Sequence, residues 1–292
     1  MPVQLQQNRY GKSRVRVMRL TKHDQHHDRE AYHDVDEWTV QLLLSGDFET
    51  AHTLGDNSQI LPTDTMKNTV YFVAHQSTAT SIEAYAQELI DYILTRNPQV
   101  SEAECLIHSH LWKRLTVDGA PHPTAFIHGS DEVQTTRVSR KQNAAFEITS
   151  GLDGLFVLKT ANSAFTGYIK DALTTLPETT DRLFGTVVKA EWTYTAAALA
   201  TPIDFNALRT QLREAMLATF ARHDSLSVQQ TLYAMGESAL AHTDRIDSVY
   251  LLMPNKHNLL IDLKRFGHDN PNHIFVPTDE PHGTIEATLT RS

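Results

Sequence analysis

The sequence predicts an α+β fold made of two successive ββααββ units with antiparallel sheets. Three observations predict it. Several segments alternate apolar and polar residues with the period of a strand, and others repeat apolar residues at helical spacing. The two kinds of segment follow one another in the same order in both halves of the chain. We place the boundary near residues 130–145, with residues 1–138 in an N-terminal unit and residues 139–292 in a C-terminal unit.

The first unit opens with two predicted strands. Residues 14–17 alternate arginine and valine, so one face of the strand is apolar and the other is polar. The second strand ends near residues 45–47. Its apolar face consists of Trp38, Val40, Leu42 and Leu44. The run between the strands, residues 23–30, is polar throughout and predicts a hairpin loop.

Two helices and two strands complete the first unit. Thr63 and Asp64 are predicted to cap the first helix, and residues 80–83 resemble a capping box that opens the second. The apolar stripe of the second helix consists of Ile82, Tyr85, Ala86, Leu89, Ile90 and Ile93. Strands are predicted at residues 105–117 and 124–127.

The second unit repeats this order without obvious sequence identity. Strand-like segments occupy about residues 132–160 and 183–194. Asp204 is predicted to cap one helix, and Ser227 with Gln230 resembles a capping box for the next. The inward faces of the two helices are Leu208, Leu212, Ala215, Met216 and Phe220, then Leu232, Met235, Ala239 and Leu240.

Three alternating segments close the chain. They lie at residues 249–253, 259–263 and 285–289 and are predicted to be strands. Together with the two helices before them, they complete the second ββααββ unit.

Composition excludes several classes of protein. The chain has 292 residues, of which 40% are hydrophobic and 21% are charged, as in proteins that bury a core. Its net charge of −9 gives no general attraction to nucleic acid or to anionic membranes. No segment approaches the roughly 18 consecutive apolar residues of a membrane helix, and residues 1–8 lack the apolar core of a signal peptide. We therefore expect neither a nucleic-acid partner nor a membrane.

Two details point to the cytoplasm. Cys105 is the single cysteine, so it has no internal disulfide partner and fits a reducing compartment. The last three residues, 290–292, do not match a peroxisomal signal. We expect a cytoplasmic protein of a bacterial type.

The sequence contains no generic metal or nucleophile motif. His108 and His110 place two imidazoles on one face of a strand, and His122 and His128 follow nearby, but no further ligand stands at a typical metal spacing. Cys105 lies in an apolar alternating segment, where thiols are usually inert. Motifs for hydrolase nucleophiles, P-loops and dinucleotides are also missing from the sequence. We therefore predict no metal site.

Six ordered segments match no generic motif, yet together they resemble the uricase (urate oxidase) family. They are residues 10–17, 55–69, 157–167, 174–182, 227–233 and 254–257. The first begins with Tyr10-Gly11-Lys12, and the last reads Pro254-Asn255-Lys256-His257. The resemblance spans about residues 9–290, and six motifs in one order are specific.

The resemblance implies a fold and an assembly. The fold is the tunnelling fold (T-fold), with two such units per chain. Members of the family form homotetramers whose β-sheets close into a barrel around a tunnel, with active sites at subunit interfaces. Neither a metal nor an organic cofactor is expected.

The resemblance also implies a reaction. Urate would be oxidised by O2 and water to 5-hydroxyisourate and hydrogen peroxide, in purine catabolism. Urate is a flat, electron-rich anion that supplies both electrons itself. The protein would therefore provide orientation, a proton route and a place for O2.

By the same resemblance, five residues would hold the substrate. Arg182 and Gln229 would grip opposite edges of the heterocycle, the first with a guanidinium fork and the second with an amide. Phe165 would stack on the ring, Leu176 would pack nearby, and the backbone amide of Val228 would add a polar contact.

The implied proton route runs through Lys12, Thr63 and His257. Thr63 both donates and accepts, so it can pass a proton between Lys12 and the substrate. Thr63 and Asp64 would reach the ligand from the neighbouring subunit. Asn255, with Thr63, would form the small polar site that holds O2 or water.

Two other functions stay open at the level of sequence. One is another T-fold enzyme acting on a purine or pterin ring, of the cyclohydrolase or aldolase type. The other is a binding module without activity, although Lys12, Thr63, Asn255, Arg182 and Gln229 are all present. Pro62, which precedes Thr63, departs from the family pattern and restricts the backbone there.

Overall fold

The structure, a computed structural model, describes residues 3–24 and 31–291. It divides into two compact units, Met1–Ser150 and Gly151–Ser292. The predicted boundary between residues 138 and 139 falls inside a strand, and as a division between two repeats it stays a prediction. Residues 25–30 of the predicted hairpin loop lie outside the described residues, as do both extreme ends of the chain.

The first unit contains the predicted strands and helices and one additional short helix. Its elements are β1 (Tyr10–His23), β2 (Tyr32–Gly46), α1 (Glu49–Thr53), α2 (Thr63–Gln76), α3 (Ile82–Arg96), β3 (Val100–Val117) and β4 (Ala120–Lys141). The strands lie in the order β1-β2-β3-β4, and each neighbouring pair is antiparallel. The short helix α1 was not predicted, because it buries no residue and so leaves no apolar pattern.

The core of the first unit lies between one face of its sheet and the helices α2 and α3. All six residues of the predicted α3 stripe are buried, which confirms that prediction. Trp38 of β2 stacks on Tyr85 of α3, with ring centroids 4.7 Å apart. Burying side chains of this size stabilises the fold by about 1.5–3 kcal/mol each.

Cys105 also belongs to this core. It lies on β3 beside Leu42 of β2, and its thiol is fully buried. Burial raises the pKa of the Cys105 thiol well above its usual value. The thiol therefore stays protonated at neutral pH, as an inert packing residue should.

Two helix starts in the first unit differ from the predictions. Pro62 occupies the N-cap of α2 with φ −56° and ψ 138°, and no side chain caps this helix. Thr63 is therefore the first helical residue, so the predicted Thr63 cap is wrong. Pro62, the residue that departs from the family pattern, has an ordinary backbone conformation, because its φ lies in the range that the pyrrolidine ring imposes.

The α3 start is displaced by one residue from the predicted capping box. Ser81 is the N-cap, and its hydroxyl accepts from the Ala84 amide at 3.2 Å. Glu83 is fully buried, and its carboxylate accepts from the Ser150 hydroxyl. The predicted start of the box at Thr80 is therefore wrong by one residue, because Ser81 is the residue that caps the helix.

The second unit repeats the β-β-α-α-β-β order, with short elements added. Its first strand, β5 (Glu147–Lys159), begins just before the division at Ser150. The other elements are β6 (Phe184–Tyr194), α4 (Ala196–Leu199), α5 (Phe205–Arg222), α6 (Val228–His242), β7 (Ile246–Leu252), β8 (Asn255–Lys256), β9 (Asn258–Leu260), β10 (Phe275–Pro277) and β11 (Glu286–Thr290). The strand order is β5-β6-β7-β11, and β8 pairs with the start of β6. β9 and β10 form a separate two-stranded sheet.

Both predicted helix caps of the second unit are confirmed, and the Gln230 side chain accepts from the Leu226 amide, one residue before the cap. Asp204 accepts from the Ala207 amide at 2.9 Å, and Ser227 accepts from the Gln230 amide at 3.1 Å. The predicted inward faces are buried except for Ala215, which is half-buried.

Two strand predictions in this half need correction. The segment 132–160 is two strands, because β4 ends at Lys141 and a turn precedes β5. The segment 259–263 does not join the main sheet: Leu259 and Leu260 are exposed and pair with β10. Instead β11 lies next to β7, in agreement with the strand predicted at residues 285–289.

Among the described residues, no helix is long and apolar enough to cross a membrane.

Candidate active site

The loop between β5 and β6, residues 160–183, carries three of the predicted site residues, Phe165, Leu176 and Arg182. Backbone hydrogen bonds fix its first half to the α5–α6 connection. The Ala164 amide donates to the Ser225 carbonyl at 2.8 Å, and the Ser225 amide donates to the Asn162 carbonyl at 3.0 Å. The loop is therefore tied to the residues that lead into α6.

The Arg182 side chain is oriented by Ser163, which is buried. Its Nε donates to the Ser163 hydroxyl at 3.3 Å, while its backbone amide donates to the Ser163 carbonyl at 3.1 Å. The guanidinium carbon lies 5.5 Å from the Phe165 ring centroid and 5.9 Å from that of Phe184. Both distances are within cation–π range.

One nitrogen of Arg182 has no acceptor within the part of the chain that the structure describes. Nη2 is buried and makes no hydrogen bond there. Burial lowers the pKa of Arg182, yet a guanidinium stays charged in proteins. Because buried donors are nearly always paired, this nitrogen favours an anionic ligand at this point.

The Phe165 ring is stacked on a second aromatic ring that sequence reasoning missed. Tyr168 lies parallel to it, with centroids 4.8 Å apart and an interplanar angle of 14°. The Tyr168 hydroxyl also donates to the Leu176 carbonyl. A ring has two faces, so Phe165 keeps at most one for a ligand. The signal available in the sequence was an aromatic residue three positions after Phe165.

Leu176 itself is largely exposed, with 58% of its surface accessible. It is held through its backbone by Tyr168 and not through its own side chain. An exposed leucine side chain provides an apolar surface for a flat ligand.

Val228 and Gln229 are the first two residues of α6. Ser227 caps the helix, and the Ser225 hydroxyl donates to the Ser227 carbonyl at 3.1 Å. Val228 is buried, whereas Gln229 is exposed and projects from the first turn. Helix N-termini carry unpaired amides and partial positive charge, which favours an anion there.

Asn255 and His257 follow β7. Asn255 lies opposite Thr186 in the pairing of β8 with β6, and its amide donates to the Gly283 carbonyl at 2.8 Å. His257 has an exposed side chain, and its carbonyl accepts from the Thr278 amide at 2.8 Å. Asn255 therefore lies on β8, next to the start of β6, and β6 begins two residues after Arg182.

The first unit carries Lys12, Thr63 and Asp64. Lys12 is half-buried on β1, and Thr63 and Asp64 are exposed at the start of α2. A hydrogen bond from Lys67 is the main reason that the pKa of Asp64 is lowered, and the charge of Lys12 contributes. Lys12 thus lies close enough to the start of α2 to act on it electrostatically.

Two groups of predicted site residues result. Phe165, Leu176, Arg182, Val228, Gln229, Asn255 and His257 lie in the second unit, around the β5–β6 loop and the α6 start. Lys12, Thr63 and Asp64 lie in the first unit.

The histidines considered as metal ligands lie on β3 and β4. His110 is 6.5 Å from His128 between ring centroids, and its Nε2 is bonded to the Thr39 hydroxyl at 3.0 Å. Within residues 3–24 and 31–291, no group of three or more His, Cys, Asp and Glu side chains is arranged to hold a metal ion.

Comparison with known proteins gives one consistent family. The sequence profile of the uricase family matches residues 8–139 and 148–286. The chain is 38% identical to a uricase of Arthrobacter globiformis over 99% of its own length and 90% of that protein's. It is 37% identical to a uricase of Aspergillus flavus, over 97% and 96% of the two lengths. The crystal structure of the Arthrobacter globiformis uricase superposes with a TM-score of 0.90 at 37% identity, covering 100% of this chain and 96% of that one.

Proposed function

The chain belongs to the uricase family, and from this premise we propose that it acts on urate at the second-unit group around Arg182. It is a urate oxidase. Its reaction converts urate, O2 and water into 5-hydroxyisourate and hydrogen peroxide, and it belongs to purine catabolism. The two electrons that reduce O2 come from urate, so the protein has to orient the ring and move protons.

Arg182 carries the substrate-binding part of the proposal. Its Nε is held by Ser163, so the Nη nitrogens are the part of the fork left for a ligand. The buried Nη2 without a partner in the described chain is the single observation that best supports an anion here. A planar urate anion presents adjacent oxygen and nitrogen acceptors, which a guanidinium fork binds with two parallel hydrogen bonds.

Four further residues complete the proposed binding site. Gln229 supplies an amide that donates and accepts on the opposite edge, and the Val228 amide lies at the positive end of α6. Phe165 stacks with its remaining face, and Leu176 adds an apolar edge. The backbone bonds between the loop and the α5–α6 connection hold these groups in fixed positions.

The proton route is the second part of the proposal. Lys12, Thr63 and His257 pass protons between urate and solvent, and Asn255 with Thr63 binds O2 or water. Lys12 and Thr63 belong to the first unit and Arg182 to the second. We propose that Thr63 and Asp64 reach the substrate from a neighbouring subunit, within a homotetramer whose sheets close into a tunnel.

We also propose that the enzyme is cytoplasmic, since a single cysteine fits a reducing compartment.

The test replaces Arg182 by Ala and by Lys. Affinity for the inert analogue 8-azaxanthine should fall by about 10²-fold in Arg182→Ala, because a charge-assisted bidentate contact is lost. Arg182→Lys keeps the charge but not the fork, so it should bind more weakly than the wild type. The matched control is Arg265→Ala, since Arg265 lies 5.4 Å from the Phe266 ring on the exposed surface of the same unit.

Two results would overturn this proposal. Unchanged analogue affinity in Arg182→Ala would place the substrate elsewhere, and an equal loss in Arg265→Ala would make the effect nonspecific. Following the loss of urate absorbance with and without a chelator tests the expectation that no metal takes part. Activity that disappears with the chelator and returns with a metal would contradict it.

A further inference from the structure

One phenol joins the two segments that carry Lys12 and Thr63. The Tyr10 hydroxyl accepts from the Leu61 amide at 2.8 Å and donates to the Leu61 carbonyl at 3.1 Å. A single side chain therefore satisfies both backbone groups of a residue 51 positions away in sequence. Tyr10 is two residues before Lys12, and Leu61 is two residues before Thr63.

The Tyr10 side of this contact is held firmly. The Tyr10 ring packs edge-on against the buried Phe48 ring, with centroids 4.9 Å apart at 83°. Gly11 passes so close to β2 that a Cβ there would lie 1.9 Å from the Leu42 carbonyl oxygen. No other residue fits at position 11, so the course of the chain from Tyr10 to Lys12 is fixed.

The Leu61 side has little freedom either. The Ile60 amide donates to the Asn57 carbonyl at 3.0 Å, which closes the turn before Leu61. Pro62 restricts its own φ, and its carbonyl accepts from Met66 at 3.1 Å in the first turn of α2. The position of Leu61 therefore determines where Thr63 begins the helix.

We infer that Tyr10 is a positioning residue for proton transfer, because its hydroxyl fixes Thr63 relative to Lys12 through the Leu61 backbone. This inference rests on the proposed roles of Lys12 and Thr63. It also explains two parts of the Tyr10-Gly11-Lys12 motif that the substrate contacts do not use: the phenol binds Leu61, and the glycine permits the close approach to β2.

The test is Tyr10→Phe, which keeps the ring against Phe48 and removes only the hydroxyl. We expect kcat to fall by about tenfold to 10²-fold, since small misplacements of reacting groups have effects of this size. KM for urate and the affinity for 8-azaxanthine should change by less than about twofold, because Arg182 is untouched. Combined with Thr63→Ala, Tyr10→Phe should lower kcat no further, since both act on one step.

The matched control is Tyr85→Phe in the same unit. Tyr85 is fully buried, and its hydroxyl donates to the Val70 carbonyl at 2.8 Å, away from Lys12 and Thr63. This control loses a tyrosine-to-backbone bond of the same kind, so it should lower the thermal midpoint while kcat stays at the wild-type value. Should Tyr10→Phe fail to fold, Phe48→Leu loosens the same ring and should lower kcat in the same way.

Three results would overturn the inference. They are a wild-type kcat in Tyr10→Phe, a parallel loss of analogue affinity, or an equal loss of kcat in Tyr85→Phe. Lys12→Met separates this failure from that of the proposed relay. If Lys12→Met keeps full activity, the relay itself is wrong. If Lys12→Met is impaired and Tyr10→Phe is not, only the positioning role of Tyr10 is lost.

Discussion

At the scale of single residues, Arg182 shows how binding and stability are linked. A buried donor without a partner costs about 1–3 kcal/mol, and Nη2 of Arg182 is such a donor within the described chain. A ligand oxygen that accepts from this nitrogen removes the cost. Part of the binding free energy at Arg182 therefore comes from removing the cost of an unpaired buried donor in the ligand-free protein. Ser163 contributes by holding Nε, which leaves the Nη nitrogens for a ligand.

Lys12 and Thr63 give a prediction at the same scale. Lys12→Met and Thr63→Ala should each lower kcat by about 10²–10⁴-fold, the usual range for proton transfer by a positioned group. Urate-analogue binding should change much less. The double variant should be little worse than the more damaging single change, because residues in one relay fail together. Lys22→Met, an exposed lysine on the same strand, should leave kcat unchanged.

Steady-state kinetics of the four variants measure this coupling directly. A double-variant defect equal to the product of the two single defects would mean two independent contacts and no shared relay.

At the scale of elements, helix starts show what the sequence predicts and where it stops. Ser227 and Asp204 were identified correctly because a side-chain cap is a local property, set by one residue and the amide three positions on. The α2 start was misassigned because Pro62 needs no capping side chain. The α3 start was displaced by one residue because Ser81 is the cap, and Glu83, read as part of the box, is buried in the core. Tertiary burial of this kind has no signature in a four-residue pattern.

An alternating apolar pattern predicted membership of the main sheet correctly only where the apolar side chains of the segment are buried. The residues at 259–263 alternate as well as those at 249–253, yet Leu259 and Leu260 are exposed and pair with β10. For the site, residue identities came from the family resemblance. What the sequence did not contain was the support: Ser163 on Arg182 and Tyr168 on Phe165 are spatial relations within an irregular loop.

The two confirmed caps give a prediction for elements. Ser227→Ala and Asp204→Ala should each lower the free energy of unfolding by about 1 kcal/mol, measured by thermal or urea unfolding. Only Ser227→Ala should also raise KM for urate, by roughly threefold, because it loosens the first turn of α6, where Val228 and Gln229 lie. Asp204 caps α5 and is the matched control. Equal KM values for the two variants would show that the start of α6 does not contribute to substrate binding.

At the scale of the whole molecule, the two groups of site residues raise the question of assembly. Lys12, Thr63 and Asp64 lie in one unit and Arg182 in the other. Under the proposal that Thr63 comes from a neighbouring subunit, one chain cannot form a complete site. Activity would then depend on subunit association, and dilution below the dissociation constant would remove it.

Subunit mixing tests this arrangement. Arg182→Ala and Thr63→Ala enzymes, each inactive, are dissociated, mixed in equal amounts and reassociated. If every site takes Arg182 from one subunit and Thr63 from another, about a quarter of the sites receive both wild-type groups. Activity should therefore return to about a quarter of the wild-type value. The control mixes Arg182→Ala with Gln229→Ala, whose two residues share a subunit, and should give no recovery. No recovery in the first mixture, with hybrids demonstrated by mass spectrometry, would place the site within one chain.

The burial of Cys105 has a consequence for how long the enzyme lasts. Each turnover releases hydrogen peroxide, and peroxide oxidises thiolates far more readily than thiols. Because Cys105 is enclosed in the core and stays protonated, the reaction product finds no reactive sulfur there. Met18 on β1, 63% exposed, is a more accessible sulfur, whereas Met66, Met216, Met235 and Met253 are buried. Among the methionines that the structure describes, oxidation during prolonged catalysis should therefore first produce a sulfoxide at Met18, before the Cys105 thiol is oxidised.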